Sequence, residues 1–226
     1  MYIVERSLRF AESFLKAYGP SKIKKYFWEK EYSGDKWNFA DDTAGDCVYA
    51  HLEKFSVNGK ILDMGCGSGN TANELEITAY NSYCGVDISE AALGKADRRS
   101  RMNGRQEKNR FECGDLMHYV PKEKYDVILF RESMYHVPVK RIKAVLDRYS
   151  LYLNDGGVLI VRLFAGSREV GSDRDKRRPT TMLNVMEREF DVVEKSRYPV
   201  AGHPTVLVLR PKNHLIDEKN SSCYSS

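Results

Sequence analysis

The chain has 226 residues, of which 42% are hydrophobic and 30% charged, and this balance is typical of a soluble globular protein that folds without disulfides or metals. Collagen, a disordered chain and a small secreted scaffold are excluded. The longest apolar runs, 127–130 and 158–161, are far shorter than the roughly 20 residues that cross a bilayer. The first six residues lack the apolar core of a signal peptide. We therefore expect a cytoplasmic protein with no membrane partner.

The chain contains five cysteines, namely Cys47, Cys66, Cys84, Cys113 and Cys223. Their number is odd and no two form a CxxC pair, which predicts free thiols and no metal site. The net charge of +4 is too small for a dedicated nucleic-acid binder. The basic excess lies in one segment, 95–110, which holds seven basic and two acidic residues, so it does not favour nucleic acid as the substrate.

Residues 1–58 predict a helical cap that belongs to the same domain as the rest of the chain. The first helix has one apolar face, formed by Val4, Leu8, Ala11, Leu15 and Tyr18. Further along, Tyr32 and Trp37 flank the flexible Gly34. These aromatics either fold over a bound ligand and exclude water or pack the cap on the core, and the sequence leaves both interpretations open.

From residue 59 to residue 212, short apolar runs alternate with longer amphipathic stretches, which predicts βαβ units and a mostly parallel sheet. The predicted strands are 60–64, 83–87, 110–113, 125–130 and 158–163. The clearest helix is predicted from Pro138 to Leu153, with Gly156 and Gly157 as its stop signal.

After the fifth strand the pattern changes. A polar stretch, 165–179, precedes a predicted helix over 181–189 and two strands over 190–198 and 205–210. The connection between these strands is too short for a parallel crossover, so they should form an antiparallel hairpin. Residues 213–226 lack an apolar pattern and are predicted to be a disordered tail.

The sharpest motif is ILDMGCGSG over residues 61–69, in which a buried strand runs into three glycines at alternate positions. Glycine is needed where the backbone turns tightly or where a ligand approaches the main chain closely. The spacing differs from the GxGxxG of dinucleotide folds and from the GxxxxGK[ST] of nucleotide triphosphate sites. The turn therefore predicts a ligand cradle of another kind.

Two acids lie at the ends of the next two strands. Asp87 belongs to GVDIS at residues 85–89, and Asp115 belongs to GDL at residues 114–116. At these positions Asp87 can accept hydrogen bonds from both hydroxyls of a ribose, and Asp115 can accept one from an exocyclic adenine amine. Together with the glycine turn, they predict one ligand-binding edge of the sheet.

With these motifs in this order, and with YDVILF at residues 125–130 as a fourth strand, the chain resembles the class I S-adenosylmethionine-dependent methyltransferases of the small-molecule type. The resemblance covers residues 60–210, roughly two thirds of the sequence. It implies an α/β fold with a Rossmann-like, doubly wound, seven-stranded and mostly parallel sheet in the order 3-2-1-4-5-7-6, with strand 7 antiparallel. It also implies S-adenosylmethionine as the cofactor.

The same resemblance implies a set of cofactor-binding residues. They are Asp63, Gly65, Cys66, Gly67, Asp87, Ile88, Asp115, Leu116 and Arg131. Asp63 and the glycine turn would hold the amino-acid end of the cofactor, Asp87 its ribose, and Asp115 with its neighbours the adenine.

The segment RESMYHVP at residues 131–138 follows the fourth strand and should lie beside the transferable methyl group. His136 is the first candidate for a general base, because an unperturbed histidine with a pKa of about 6.5 is mostly neutral at cytoplasmic pH. Glu132 is the second candidate. The alternatives are that His136 caps a helix or packs under a loop, and that Glu132 orients Arg131 or the cofactor's ammonium.

The leading hypothesis is methyl transfer to a nitrogen or oxygen of a small molecule. Residues 131–138, after the fourth strand, lack the Asn/Asp-Pro-Pro-Tyr/Phe motif of enzymes that methylate base amines or glutamine amides, which disfavours those acceptors. The stretch 168–178 has a net charge of +2 and either binds an anionic acceptor or is a solvated loop.

Two alternatives remain open, an RNA or protein methyltransferase and a non-catalytic methyltransferase-like binding subunit. Nucleic acid is disfavoured because aromatic residues do not interleave with the basic run 98–101. The oligomeric state does not follow from the sequence.

Overall fold

The computed structural model describes residues 11–12, 14–16, 18–34, 43, 45–164, 173–200 and 203–212. Their helices are α1 Ser21–Ser33, α2 Val48–Ser56, α3 Asn70–Glu74, α4 Glu90–Met102, α5 Ile142–Ser150 and α6 Asp173–Glu189, with 3-10 turns at Met134–His136 and Val139–Arg141. The strands are β1 Gly59–Met64, β2 Tyr80–Asp87, β3 Asn109–Cys113, β4 Tyr125–Arg131, β5 Leu153–Phe164, β6 Phe190–Arg197 and β7 Pro204–Pro211. The start of the predicted first helix, Trp37 and the tail 213–226 lie outside the described residues.

The strands form a seven-stranded sheet in the order β3-β2-β1-β4-β5-β7-β6. The pairs from β3 to β5 are parallel, whereas β7 runs antiparallel to both β5 and β6. The predicted fold class is therefore confirmed, including the hairpin that closes the sheet. A short connection allows β6 and β7 to pair only in the antiparallel sense, which is why the sequence could predict this reversal.

Helices cover both faces of the sheet. On one face α5 and α6 bury Val145, Leu146, Met182 and Met186 against the strands. On the other face α2 buries Val48 and Leu52, so this part of the predicted cap packs directly on the sheet. Among the described residues, none of the helices combines the length and the apolar character that crossing a membrane requires.

The predicted helix from Pro138 to Leu153 is wrong at both ends. Pro138 is extended, with ψ 135°, and a 3-10 turn precedes α5, which begins at Ile142 and ends at Ser150. Leu153 already belongs to β5, and both predicted stop glycines lie inside that strand. The reason is an irregularity in the pairing of β4 with β5, where the register jumps between Leu153 and Val158. A positive φ of 78° at Gly156 lets the strand make this detour.

Helix α6 begins at Asp173, eight residues before the predicted start at Thr181, and includes Pro179. The polar composition of 173–181 concealed these turns, because the apolar side chains that the sequence pattern could register, Met182, Leu183 and Met186, begin only at Met182. Apolar periodicity therefore detects the part of a helix that packs on the core and misses the part that precedes it.

Candidate functional site

The parallel strands β1, β2 and β3 end side by side at the carboxyl edge of the sheet. This register brings together the glycine turn after β1, Asp87 at the end of β2 and Asp115 just after β3, as the sequence predicted. Ligands of open α/β sheets bind at this edge.

The glycine turn needs glycine for two physical reasons. Gly65 and Gly67 have φ values of 85° and 54°, in the left-handed region that side chains disfavour. A Cβ on Gly65 would lie 2.6 Å from Ser133 Cβ, and one on Gly67 would lie 2.6 Å from the Tyr32 hydroxyl. The turn is thus packed between the loop after β4 and helix α1. Cys66, between the two glycines, is buried.

Asp63 is the buried acid beneath this turn, with only 1% of its surface exposed. The Tyr83 hydroxyl donates a 2.6 Å hydrogen bond to its Oδ2, whereas its Oδ1 has no hydrogen-bond partner among the described residues. Burial raises the pKa of Asp63 to about 6, against the opposing effects of Tyr83 and Arg131. A buried carboxylate with an unused oxygen fits a cationic group such as the cofactor's ammonium.

Asp87 organises the backbone around it. Its Oδ2 accepts a hydrogen bond from the Gly67 N–H at 2.9 Å, and its Oδ1 accepts one from the Ser89 N–H at 2.9 Å. Burial raises the pKa of Asp87, and these backbone hydrogen bonds oppose the rise. Each carboxylate oxygen keeps further acceptor capacity, so the same side chain can fix the turn and accept ribose hydroxyls. Ile88, beside it, is half-buried.

Asp115 is engaged by helix α1. Ser21 Oγ donates to its Oδ2 at 2.6 Å, and Lys24 Nζ lies 2.6 Å from the same oxygen. Burial alone would raise the pKa of Asp115, but the hydrogen bonds from Lys24 and Ser21 hold it below its usual range. The carbonyl of Leu116 accepts hydrogen bonds from Tyr149 and Arg148 of α5, which anchors this loop.

Helix α1 lies along the strand-end edge. Its residues Ser21, Lys24, Trp28 and Tyr32 recur at steps of three and four, which puts them on one face of a helix. The Trp28 ring lies edge-on to that of His136, with 5.0 Å between centroids. Of these four residues only Tyr32 was named from the sequence, although the spacing could have indicated Ser21, Lys24 and Trp28 as well.

Asp46, which precedes α2, and Glu132, which follows β4, form an ion-pair cluster with an arginine from each of β4 and β5 that the sequence did not predict. Asp46 Oδ2 lies 2.9 Å from Arg131 Nη2 and 3.1 Å from Arg162 Nη2. Arg162 Nη1 donates to Glu132 Oε1 at 2.7 Å. Burial would raise the pKa of Asp46, but Arg131 and Arg162 hold it below its ordinary value. The cluster joins residues far apart in sequence, so no local pattern reveals it.

The two candidate bases therefore have different surroundings. Glu132 has a φ of 55° and pairs with Arg162, so its carboxylate neutralises a buried guanidinium. His136 ends a 3-10 turn and faces Trp28 of α1. The structure thus places His136 next to the helix that covers the edge, and pairs Glu132 with Arg162.

The chain matches known proteins in sequence. The methyltransferase domain family model matches residues 38–194, more than half of the chain. Methyltransferase GfsG of Streptomyces halstedii is 28% identical over 152 residues, which are 67% of this chain and 54% of that protein. The mRNA cap guanine-N(7) methyltransferase of Schizosaccharomyces pombe is 28% identical over 44% of this chain and 30% of that protein. The chain spans about half or less of the curated relatives it matches.

Solved structures share its fold. The N-methyltransferase NodS from Bradyrhizobium japonicum, in complex with S-adenosylhomocysteine, has a TM-score of 0.62 and 18% identity over 83% of this chain and 98% of that chain. Magnesium protoporphyrin IX methyltransferase ChlM from Synechocystis, with bound S-adenosylmethionine, has a TM-score of 0.56 and 19% identity over 89% of this chain and 96% of that chain.

The sheet order and the strand-end site define the class I methyltransferase fold, whose cofactor is S-adenosylmethionine. The chain belongs to the methyltransferase domain family. The expected family, fold and cofactor are thereby confirmed, whereas the roles of individual residues remain predictions.

Proposed function

We propose that this chain is a methyltransferase that moves the methyl group of S-adenosylmethionine to a nitrogen or oxygen of a small molecule. Asp63 would pair with the cofactor's ammonium, Asp87 would accept from its ribose, and the glycine turn would cradle its amino-acid end. The unused Oδ1 of the buried Asp63 supports the first of these roles.

When bound, S-adenosylmethionine supplies an electrophilic methyl group that the acceptor's lone pair displaces in line. The chain itself would position the acceptor, exclude water and accept the proton that the acceptor loses. His136 is the proposed base, because its ring lies at the end of the loop after β4 and against Trp28. Glu132 is a weaker candidate, since protonating it would leave the buried Arg162 without its 2.7 Å partner.

The position of α1 is the observation that carries the proposal of a small acceptor. The helix crosses the edge from Asp115, which Lys24 contacts, to the glycine turn, which Tyr32 contacts. A helix across the site favours an acceptor small enough to be enclosed beneath it, and enclosure excludes water from the reaction.

RNA and protein acceptors are the alternative, because curated relatives include an mRNA cap methyltransferase and N-terminal Xaa-Pro-Lys N-methyltransferases. The basic segment 95–110 gives them little support. Arg105 Nη1 donates to the carbonyls of Ala72 and Leu75, and Lys108 Nζ donates to those of Ile77 and Tyr80. These cations satisfy main-chain acceptors at a turn and are not displayed as a patch for phosphates.

An anionic acceptor is a finer part of the proposal. The cluster Arg174–Arg178 falls in the first turns of α6, downstream of β5, and its side chains lie outside the described residues. Its net positive charge supports a phosphorylated or carboxylated acceptor.

A transfer assay with methyl-labelled S-adenosylmethionine tests the proposal. Fractionated metabolites, total RNA and protein are offered separately, and each labelled product is identified by mass. We expect label in a small-molecule fraction, reduced by His136→Ala more than by Glu132→Gln. Label confined to RNA or protein would overturn the small-molecule proposal, and equal turnover of both variants and wild type would overturn the assignment of the base.

A further inference from the structure

Arg131 lies beside Asp63 at the carboxyl edge of the sheet. Strands β1 and β4 pair in parallel, with Asp63 opposite Leu129, and side chains two residues apart on a strand share a face. Arg131, two residues beyond Leu129, therefore stands on the same face of the sheet as Asp63. Burial raises the pKa of Asp63 and the Arg131 guanidinium opposes the rise, which agrees with this closeness.

These two side chains keep unused hydrogen-bonding groups of opposite kind. Asp63 Oδ1 and Arg131 Nε are both buried, and neither has a hydrogen-bond partner among the described residues. The carboxylate oxygen accepts, whereas the guanidinium N–H donates. An amino acid offers the complementary combination, because its ammonium donates and its carboxylate accepts. Arg131, included in the cofactor-binding set without a role of its own, thus fits the cofactor's carboxylate.

The position of Arg131 depends on Asp46, a residue outside every motif of the cofactor site. Asp46 Oδ2 lies 2.9 Å from Arg131 Nη2 and 3.1 Å from Arg162 Nη2. Its other oxygen, Oδ1, accepts a hydrogen bond from the Val48 N–H at 3.0 Å, in the first turn of α2. Only 6% of the Asp46 side chain is exposed, so water screens these ion pairs less than it screens surface pairs.

The segment that carries Asp46 is itself held in place. Thr43 Oγ1 and the Tyr49 hydroxyl both donate to Glu74 Oε2 of α3, at 2.7 and 3.0 Å. These contacts fix the chain on either side of Asp46. The Arg131 guanidinium also lies 5.7 Å from the centroid of the Tyr49 ring, a favourable distance for a cation and an aromatic face. The start of α2 therefore holds Arg131 through both Asp46 and Tyr49.

We propose that Asp46 is a positioning residue for cofactor binding, which holds Arg131 beside Asp63 so that the guanidinium receives the cofactor's carboxylate. Asp46 acts through Arg131 and makes no contact of its own with the cofactor. The inference rests on the proposed function, because it takes Asp63 and Arg131 as contacts of the cofactor's amino-acid end.

Three adenosine compounds separate a positioning role from a merely structural one. S-adenosylhomocysteine carries both the ammonium and the carboxylate, decarboxylated S-adenosylmethionine lacks the carboxylate, and methylthioadenosine lacks both groups. Calorimetry measures the dissociation constant of each compound for wild type and variants, without any methyl acceptor. A structural role for Asp46 would weaken all three ligands alike, whereas a role through Arg131 weakens only the ligand that has a carboxylate.

Four variants complete the design. Asp46→Asn keeps the shape of the side chain and removes the charge that holds Arg131. Asp46→Glu keeps the charge, and thereby the ion pairs of the fold, but displaces the carboxylate by one methylene. Arg131→Met removes the guanidinium and keeps an apolar stem. Asp147→Asn is the matched control, because Asp147 pairs with Lys143 on the surface.

We expect Asp46→Asn to weaken binding of S-adenosylhomocysteine about 5- to 20-fold, and Asp46→Glu to weaken it about 3-fold or more. Both variants should bind the other two compounds within about 2-fold of wild type. Asp46→Asn should add nothing further in an Arg131→Met background, because residues that act as one unit are not additive. Asp147→Asn should bind all three compounds as wild type does.

Three results would overturn the role of Asp46. They are equal weakening of all three compounds, wild-type affinity for S-adenosylhomocysteine in folded Asp46→Asn and Asp46→Glu, and additive losses in the double variant. Far-ultraviolet circular dichroism establishes folding. If Asp46→Asn unfolds, Asp46→Glu decides, and unfolding of both would show a structural role instead. Failure of wild type to bind S-adenosylhomocysteine at millimolar concentration would contradict the proposed function, so the two failures are distinguishable.

Discussion

The Tyr83 hydroxyl donates a 2.6 Å hydrogen bond to Asp63 Oδ2, while Asp63 Oδ1 has no hydrogen-bond partner among the described residues. A carboxylate that is buried and only partly satisfied is costly to the fold. Asp63 lies at the end of β1, directly before the glycine turn, and in the proposed function the cofactor's ammonium would complete its acceptor set.

Asp63→Asn should stabilise the protein at pH 8 and weaken cofactor binding. Each pKa unit corresponds to about 1.4 kcal/mol, and burial raises the pKa of Asp63 to about 6 from 3.8, so we expect a gain of about 1–3 kcal/mol in the free energy of unfolding. The amide keeps a carbonyl that accepts from Tyr83. Chemical denaturation at pH 8 measures the gain, and a loss of stability at that pH would contradict the account.

Cofactor affinity should fall in acid. Below a pKa of about 6 Asp63 is neutral and cannot attract an ammonium group, so the affinity for S-adenosylhomocysteine should drop as the pH falls from 7 to 5, by up to about 10-fold per pH unit below the pKa. Calorimetry across this range measures the slope. Asp63→Asn is the control and should give a flatter profile, and parallel profiles would show that another group is responsible.

Gly65→Ala should cost both stability and binding. The substitution forces a side chain into a φ of 85° and puts its Cβ 2.6 Å from Ser133 Cβ, which together cost about 2–5 kcal/mol. Gly104→Ala is the matched control, because Gly104 also has a positive φ of 64° but nothing within 4 Å of its Cβ position. Equal losses in the two variants would show that backbone strain alone matters.

Arg162→Met should destabilise the fold and lower turnover. It leaves Asp46 and Glu132 without their shared guanidinium in a site where Arg162 is only 6% exposed, and breaking such a buried pair costs about 3–5 kcal/mol. Arg101→Met is the control, because the Arg101–Asp97 pair is exposed and its loss should leave the unfolding curve unchanged. An Arg162→Met protein as stable as wild type would contradict the role of the cluster.

Strand ends could be predicted from the sequence, because apolar runs and glycine turns are local signals, whereas the strand order followed only from the resemblance to a known family. The ends of β1, β2 and β3 fall at Met64, Asp87 and Cys113, within one residue of the predicted positions. Local patterns gave the wrong element boundaries in two places. The pairing of β5 with β4 draws Gly156 into the strand, and a polar stretch concealed the start of α6.

Contacts between distant segments could not be predicted. Lys24 and Asp115 are 91 residues apart, and Asp46 and Arg162 are 116 apart, so their pairing depends on the completed fold. The basic segment illustrates the same limit. Its charge is visible in the sequence, but the role of Arg105 in bonding the Leu75 carbonyl appears only in three dimensions.

Calorimetric titration with S-adenosylmethionine and S-adenosylhomocysteine tests most directly the claim that the ends of β1, β2 and β3 form the cofactor site. We predict one molecule bound per chain, affinity weakened on the order of 10-fold or more by Asp87→Asn, and unchanged affinity in Asp97→Asn, whose carboxylate pairs with exposed Arg101. No binding of either compound at millimolar concentration, or wild-type affinity in a folded Asp87→Asn protein, would contradict the claim.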